Sequence, residues 1–246
     1  MKLTKISAMH YIKLTLRSVL FLGALIYYII SRIELQTFSI RQIQLHWLFI
    51  GIWIIYAAEM MLRLFPSKLE SPGCQKQFER NFSPTKNADP KVQSWKSTFG
   101  VLCSWILLNS IIGVLYYTNI IDKGILILIS LAYGVCDMIC ILFFCPFQTW
   151  IMKNRCCTTC RIYNWDYAMM FTPFLFIPST YTWSLLGLSL LLLLRWEVTL
   201  KMHPERFSDK TSEYIQCQNC TEKLCSHKKQ LQGFLKKHKD KFQHKK

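Results

Sequence analysis

The sequence predicts an all-α protein, a bundle of about six transmembrane helices with a basic, cysteine-containing cytoplasmic tail. Three observations predict it. The chain of 246 residues is 52% hydrophobic and 18% charged, with only 9 Gly and 8 Pro, which excludes disordered, collagen-like and small disulfide-scaffold classes. Its apolar residues come in blocks that approach or exceed the roughly 20 residues a helix needs to cross a bilayer core. The basic residues fall between alternate blocks, as the positive-inside rule requires.

The predicted spans are residues 14–33, 45–64, 98–117, 124–147, 162–177 and 181–199, a membrane domain over 1–200 followed by a tail over 201–246. The first span follows a basic start, as a signal peptide does, but residues 27–32 offer no small-residue cleavage site, so it is expected to be retained. In the second, Glu59 has Arg63 one turn further on, a spacing that predicts a local ion pair. Residues 65–97 contain Pro66, Pro72, Pro84 and Pro90 among polar residues without a clear period, and read as a mobile cytoplasmic connector.

The fourth span carries Asp137 near its middle, where an acid costs about 2.5 to 3.5 kcal/mol on insertion scales. At 100° per residue, Tyr133, Cys136, Asp137 and Cys140 share one arc, which predicts a polar stripe facing the bundle. No basic residue lies three or four positions from Asp137. It is therefore expected to be neutral or paired with another helix, serving either packing or an ion or proton path. Pro173 and the turn-forming Pro178-Ser179-Thr180 divide the last apolar stretch into a tight helical hairpin.

With both termini cytoplasmic, 27 of the 30 Lys and Arg residues lie inside, leaving Arg32, Arg41 and Lys123 outside. The formal charge of +16 thus reads as topology in a plasma membrane and not as nucleic-acid binding, for which no motif or stacking platform is present. Eight lysines in 228–246 suit anionic inner-leaflet lipids, at about 1 kcal/mol each near the surface.

This topology puts all eleven cysteines within the membrane or on its cytoplasmic side, which favours metal ligation or reversible thiol chemistry over structural disulfides. Two C-x2-C knuckles stand out, Cys157-Thr-Thr-Cys160 and Cys217-Gln-Asn-Cys220. Two such knuckles complete a tetrahedral thiolate set for zinc, with Cys156, Cys225 and His227 as spare ligands. A whole helical hairpin separates them, so the site would staple the tail to the fourth loop. An iron–sulfur cluster is the alternative cofactor: Cys145-Pro146 supplies one Cys-Pro, but the C-x2-C-x2-C run of ferredoxin-type sites is absent. No Ser/His/Asp grouping, H-E-x-x-H or phosphate loop points to an enzyme. The expected function is a multi-pass membrane protein with a cytoplasmic zinc-thiolate site of structural or sensing role. The alternatives are a redox or iron–sulfur electron-transfer protein and a small transporter using Asp137 and Glu59.

Overall fold

The computed structural model describes residues 4–35, 46–68, 70–85, 89–154, 156–222 and 224–225. His227 and the lysine-rich segment 228–246 lie outside them. Every regular element among the described residues is helical, apart from one isolated bridge between Pro84 and Ser212.

Local chemistry sets the helix ends. In α1 (Lys5–Leu35), the Thr4 hydroxyl accepts from the Ser7 amide at 3.1 Å and starts the helix well before residue 14. After α2 (His46–Leu64), Ser71 caps the short α3 (Pro72–Gln75), and Ser94 caps α4 (Trp95–Tyr117). Asn119, with φ of 58°, then turns the chain through the left-handed region that asparagine tolerates. Asp122 caps α5 (Lys123–Leu142), accepting from Ile125 at 2.9 Å. The predicted fourth span ran on to 147, but the residue before a proline disfavours helical dihedrals, and Cys145-Pro146 stops α5 at Leu142. A single π turn, Phe147–Ile151, follows.

The segment predicted as the fifth span is helical in three short pieces: a 3-10 turn Tyr163–Trp165, α6 (Asp166–Phe171) and a 3-10 turn Thr172–Phe176 with Pro173 near its start. Its 14 residues rise about 21 to 25 Å, short of a hydrocarbon core of about 30 Å. After Pro178 and Ser179 the chain reverses into α7 (Thr180–Met202). Thr182 Oγ1 donates to Ile177 O at 2.6 Å near the turn, and Trp196 Nε1 donates to Arg161 O at 2.7 Å at the other end, so the two arms run antiparallel.

Among the described residues, four helices are long and apolar enough to cross a membrane: residues 5–33, α4, α5 and α7. Their outer faces leave Ile12, Val19, Ile26, Leu107, Val114 and Leu194 exposed, while Arg17, Asn109, Ser130 and Ser189 are buried. Exposed aliphatic faces around a polar interior suit a lipid solvent, in which only buried polar groups find partners. At one end of the bundle, Asp122 accepts from Tyr28 and Trp53 Nε1 donates to Ser184. At the other end, Arg195 donates to Leu64 O and Lys13 pairs with Glu70. The start of α1 and the end of α7 therefore share this second, basic end.

The connector 65–97 is not loose. Glu70 to Phe78 form a continuously buried run at the basic end. Gly73 makes this possible: a Cβ there would stand 2.6 Å from the Tyr163 ring. The chain after α7 returns along the same surface. Phe207 packs edge-on against Trp196, Thr85 N donates to Thr211 O, and Glu213 N donates to Ser83 O at 2.9 Å. Glu222 then closes on α1, accepting from Ser7 Oγ at 2.5 Å through its carbonyl and pairing with His10 at 3.2 Å.

Candidate functional site

A charged network fills the bundle between its middle and its basic end. Arg17 projects from α1 and is 3% exposed. Its Nη1 reaches Asp137 Oδ2 at 2.9 Å and Gly134 O at 3.1 Å, and its Nη2 reaches Glu59 Oε2 at 3.0 Å. The missing side chain at Gly134 admits Met170, since a Cβ there would lie 2.8 Å from Met170 Sδ. Tyr167 donates to the same Glu59 oxygen at 2.5 Å. One turn towards the basic end, Lys13 bridges Glu59 and Glu70, and Arg63 binds Asp166 at 2.5 Å and Glu70 at 3.6 Å.

Two expectations are corrected here. Glu59 does not pair with Arg63, because the α2 partners face different neighbours: Glu59 meets Arg17 and Lys13, and Arg63 meets Asp166 and Glu70. The polar stripe on α5 is also divided. Gly134, Met138 and Ile141 form the buried face, Asp137 joins it through Arg17, Tyr133 and Cys140 stand at its edge, and Cys136 is exposed. The residue missed was Arg17. Its signal was present, since Lys13 and Arg17 are i, i+4 neighbours and Arg17 lies inside the span predicted from residue 14.

The cysteines sort differently from the two-knuckle expectation. Cys157 and Cys160 point into the protein: both are buried, Cys160 N closes the turn on Cys157 O at 3.0 Å, and Cys157 Sγ lies 3.7 Å from Gln148 Oε1. Burial pushes the Cys160 thiol up to about 12. Lys76, itself buried, holds this turn by donating to Thr158 O at 2.7 Å and Cys160 O at 2.9 Å.

The preceding residue, Cys156, faces the tail. Its thiol hydrogen-bonds Thr158 Oγ1 at 2.9 Å and lies beside Cys225 and Cys217, and Cys217 neighbours Cys220 across its own turn. The neighbouring Cys225 and the Thr158 hydroxyl outweigh burial and hold the Cys156 thiol below the usual thiol range, while the Cys156 charge raises Cys217. Asn154 sets this direction by binding both the amide and the carbonyl of Cys156. Each C-x2-C knuckle thus lies among other thiols: Cys217 and Cys220 with Cys156 and Cys225, and Cys157 and Cys160 with Cys140 and Cys145, around a cavity of about 130 Å³. Among the described residues no three His, Cys, Asp or Glu side chains are grouped closely enough to hold one metal ion.

The chain matches no protein-family model, and no curated protein and no solved structure matches it.

Proposed function

We propose that this is an integral membrane protein, in the plasma membrane with both termini cytoplasmic, in which a zinc-thiolate site fastens the C-terminal strap to the basic end of the bundle. The ligands are Cys156, Cys217, Cys220 and Cys225, with Cys157 and Cys160 released from the site. The observation that carries this reading is that the Cys156 thiol, bonded to Thr158 Oγ1 at 2.9 Å, lies beside Cys217 and Cys225 of the strap. The strap is brought to within reach by contacts of its own, Phe207 on Trp196 and Glu222 on α1, so an ion has only to draw the side chains together. Zinc takes four thiolates tetrahedrally, and its binding releases their protons and orders the segment that carries them. The role is structural or sensing: loss of the ion would loosen the strap whose Glu222 closes on α1.

The transporter reading is disfavoured by Arg17, which holds both Asp137 and Glu59 as fixed counter-charges. Full-length protein purified in detergent should carry about one zinc per chain, and the double variant Cys217→Ser/Cys220→Ser should carry none. Retention of zinc by that variant would remove the strap from the site.

A further inference from the structure

Beyond the Arg17 network the bundle parts. α1 packs along α5, and α2 packs along α7. Arg17 and Lys13 tie α1 to α2 at Glu59, and from that tie towards the end away from the basic one a cavity of about 430 Å³ lies between the two helices. Val19 and Gly23 of α1, Ile52 of α2, Ile127 of α5, Phe174 and Leu185 of α7 line it. Val19 is 61% exposed and Gly23 is exposed as well, so the cavity opens sideways to the surroundings of the bundle. A Cβ at Gly23 would meet no atom within 4 Å.

Two properties narrow what fills it. Polar groups of the lining are spent on protein partners: Ser130 donates to Met170 O at 2.8 Å, Trp53 Nε1 to Ser184 at 2.8 Å, Tyr28 to Asp122 at 3.0 Å and Thr182 to Ile177 O at 2.6 Å, while the Tyr56 hydroxyl is itself buried away from the space. A water needs two to four polar partners, so this cavity stays dry. Apolar cavities of about 150 Å³ take up benzene, and about three times that volume suits the bulk of one hydrocarbon chain. The second property is depth. Along α1 the lining runs from Val19 to Tyr28, about 14 Å of helix, close to half of a hydrocarbon core of about 30 Å and so the depth of one leaflet. It starts near the middle of the bundle and ends among Tyr28, Trp53 and Tyr181, with Asp122 and Arg32 beside them, the rings and charges of a membrane interface.

We propose that this cavity holds one acyl chain of a phospholipid from the leaflet at the end opposite the basic one, with the headgroup at the rim beside Tyr28, Asp122 and Arg32. A ligand enclosed in a pocket is oriented by a few polar groups placed inside it. Here those groups are already engaged, so the occupant is oriented by an end that stays outside, which describes a chain with one polar end and not a polar ring compound. The sideways opening lets one chain of a two-chain lipid enter while the other remains in the bilayer. The bound chain continues the packing of α1 against α2 beyond the tie at Glu59. The proposal needs only the membrane setting and is independent of the zinc site.

The test uses full-length protein in detergent micelles with an equimolar amount of phosphatidylcholine that carries a photoactivatable diazirine in the middle of one acyl chain, the adducts being located by peptide mass spectrometry. Label is expected on residues 19–24 of α1, 52–56 of α2 and 127–131 of α5, and unlabelled phosphatidylcholine should displace it. Gly23→Leu, whose side chain enters open space at the mouth, should lose this label. Gly51→Leu, at a helical glycine equally free of neighbours but outside the lining, should keep it. Label confined to outer-face residues such as Leu107 and Val114 would overturn the proposal, as would full labelling of folded Gly23→Leu. Displacement by a free sterol or an isoprenoid quinone but not by unlabelled phosphatidylcholine overturns it equally. Thermal midpoint and elution volume report whether each variant is folded. Should Gly23→Leu unfold, Ala24→Leu takes its place, and should both unfold, the label map of the wild type decides.

Discussion

Of the buried cations Arg17, Arg63 and Lys76, the first and the last give predictions of opposite sign. Arg17 neutralises Glu59 and Asp137 together. Removing one partner of a buried ion pair costs about 3 to 5 kcal/mol because the other charge is left uncompensated. Arg17→Met, which strands Asp137 and leaves Glu59 to Lys13 and Tyr167, should lower thermal stability in detergent by that order. Asp137→Asn keeps an acceptor for Arg17 and leaves Glu59 in place, so its cost should be smaller, about 1 to 3 kcal/mol. Equal losses in the two variants would contradict the central position given to Arg17. Lys76 behaves in the opposite way, because burial lowers its pKa from 10.5 to about 8. Between those values the unfolded chain still holds the proton that the folded chain has released. In metal-stripped protein, stability should therefore rise from about pH 8 to about 10.5 and be independent of this group below 8. Denaturation profiles should lose that rise in Lys76→Met. The sequence marked Arg17 as a charge inside a span but could not reveal its partners, which lie 42 and 120 residues away. Nor could it have separated Cys156 from Cys157, because Asn154 decides which of two adjacent thiols faces the tail.

At the scale of elements, apolar blocks and breakers were legible and lengths were not. The blocks became α1, α2, α4, α5 and α7, and Pro178-Ser179 became the reversal between the two arms of the hairpin. The fifth segment fell short because Pro173 lies within it and its residues divide between α-helical and 3-10 turns, a choice that composition does not reveal. Close packing compensates for its shortness. A Cβ at Gly113 of α4 would stand 2.6 Å from Phe176 Cζ, so the helix and the short segment touch through the missing side chain. Gly113→Val should push them apart and destabilise the protein by about 1 to 3 kcal/mol, read as a lower midpoint in thermal unfolding. An unchanged midpoint would mean that Phe176 swings away without cost. The connector 65–97 was misread for a related reason: its prolines and polar residues look like solvent-facing chain, yet Lys76 and Gln77 are buried because backbone carbonyls of other segments receive them.

For the whole molecule, chain direction and charge lead to the same topology. The start of α1 and the end of α7 share the basic end of the bundle, and the proposed orientation puts that end in the cytoplasm. Reporter fusions after Thr180 and at Lys246 should accordingly report opposite sides, external and internal. An external signal at Lys246 would separate the strap from the reducing compartment that its thiols need. The central claim is that the fourth loop and the strap share one ion through Cys156, and zinc content per chain in two neighbouring serine variants tests it most directly. Cys156→Ser should lose zinc and Cys157→Ser should retain about one per chain. The reverse pattern, zinc lost with Cys157 and kept without Cys156, would contradict the account and return the site to the two knuckles.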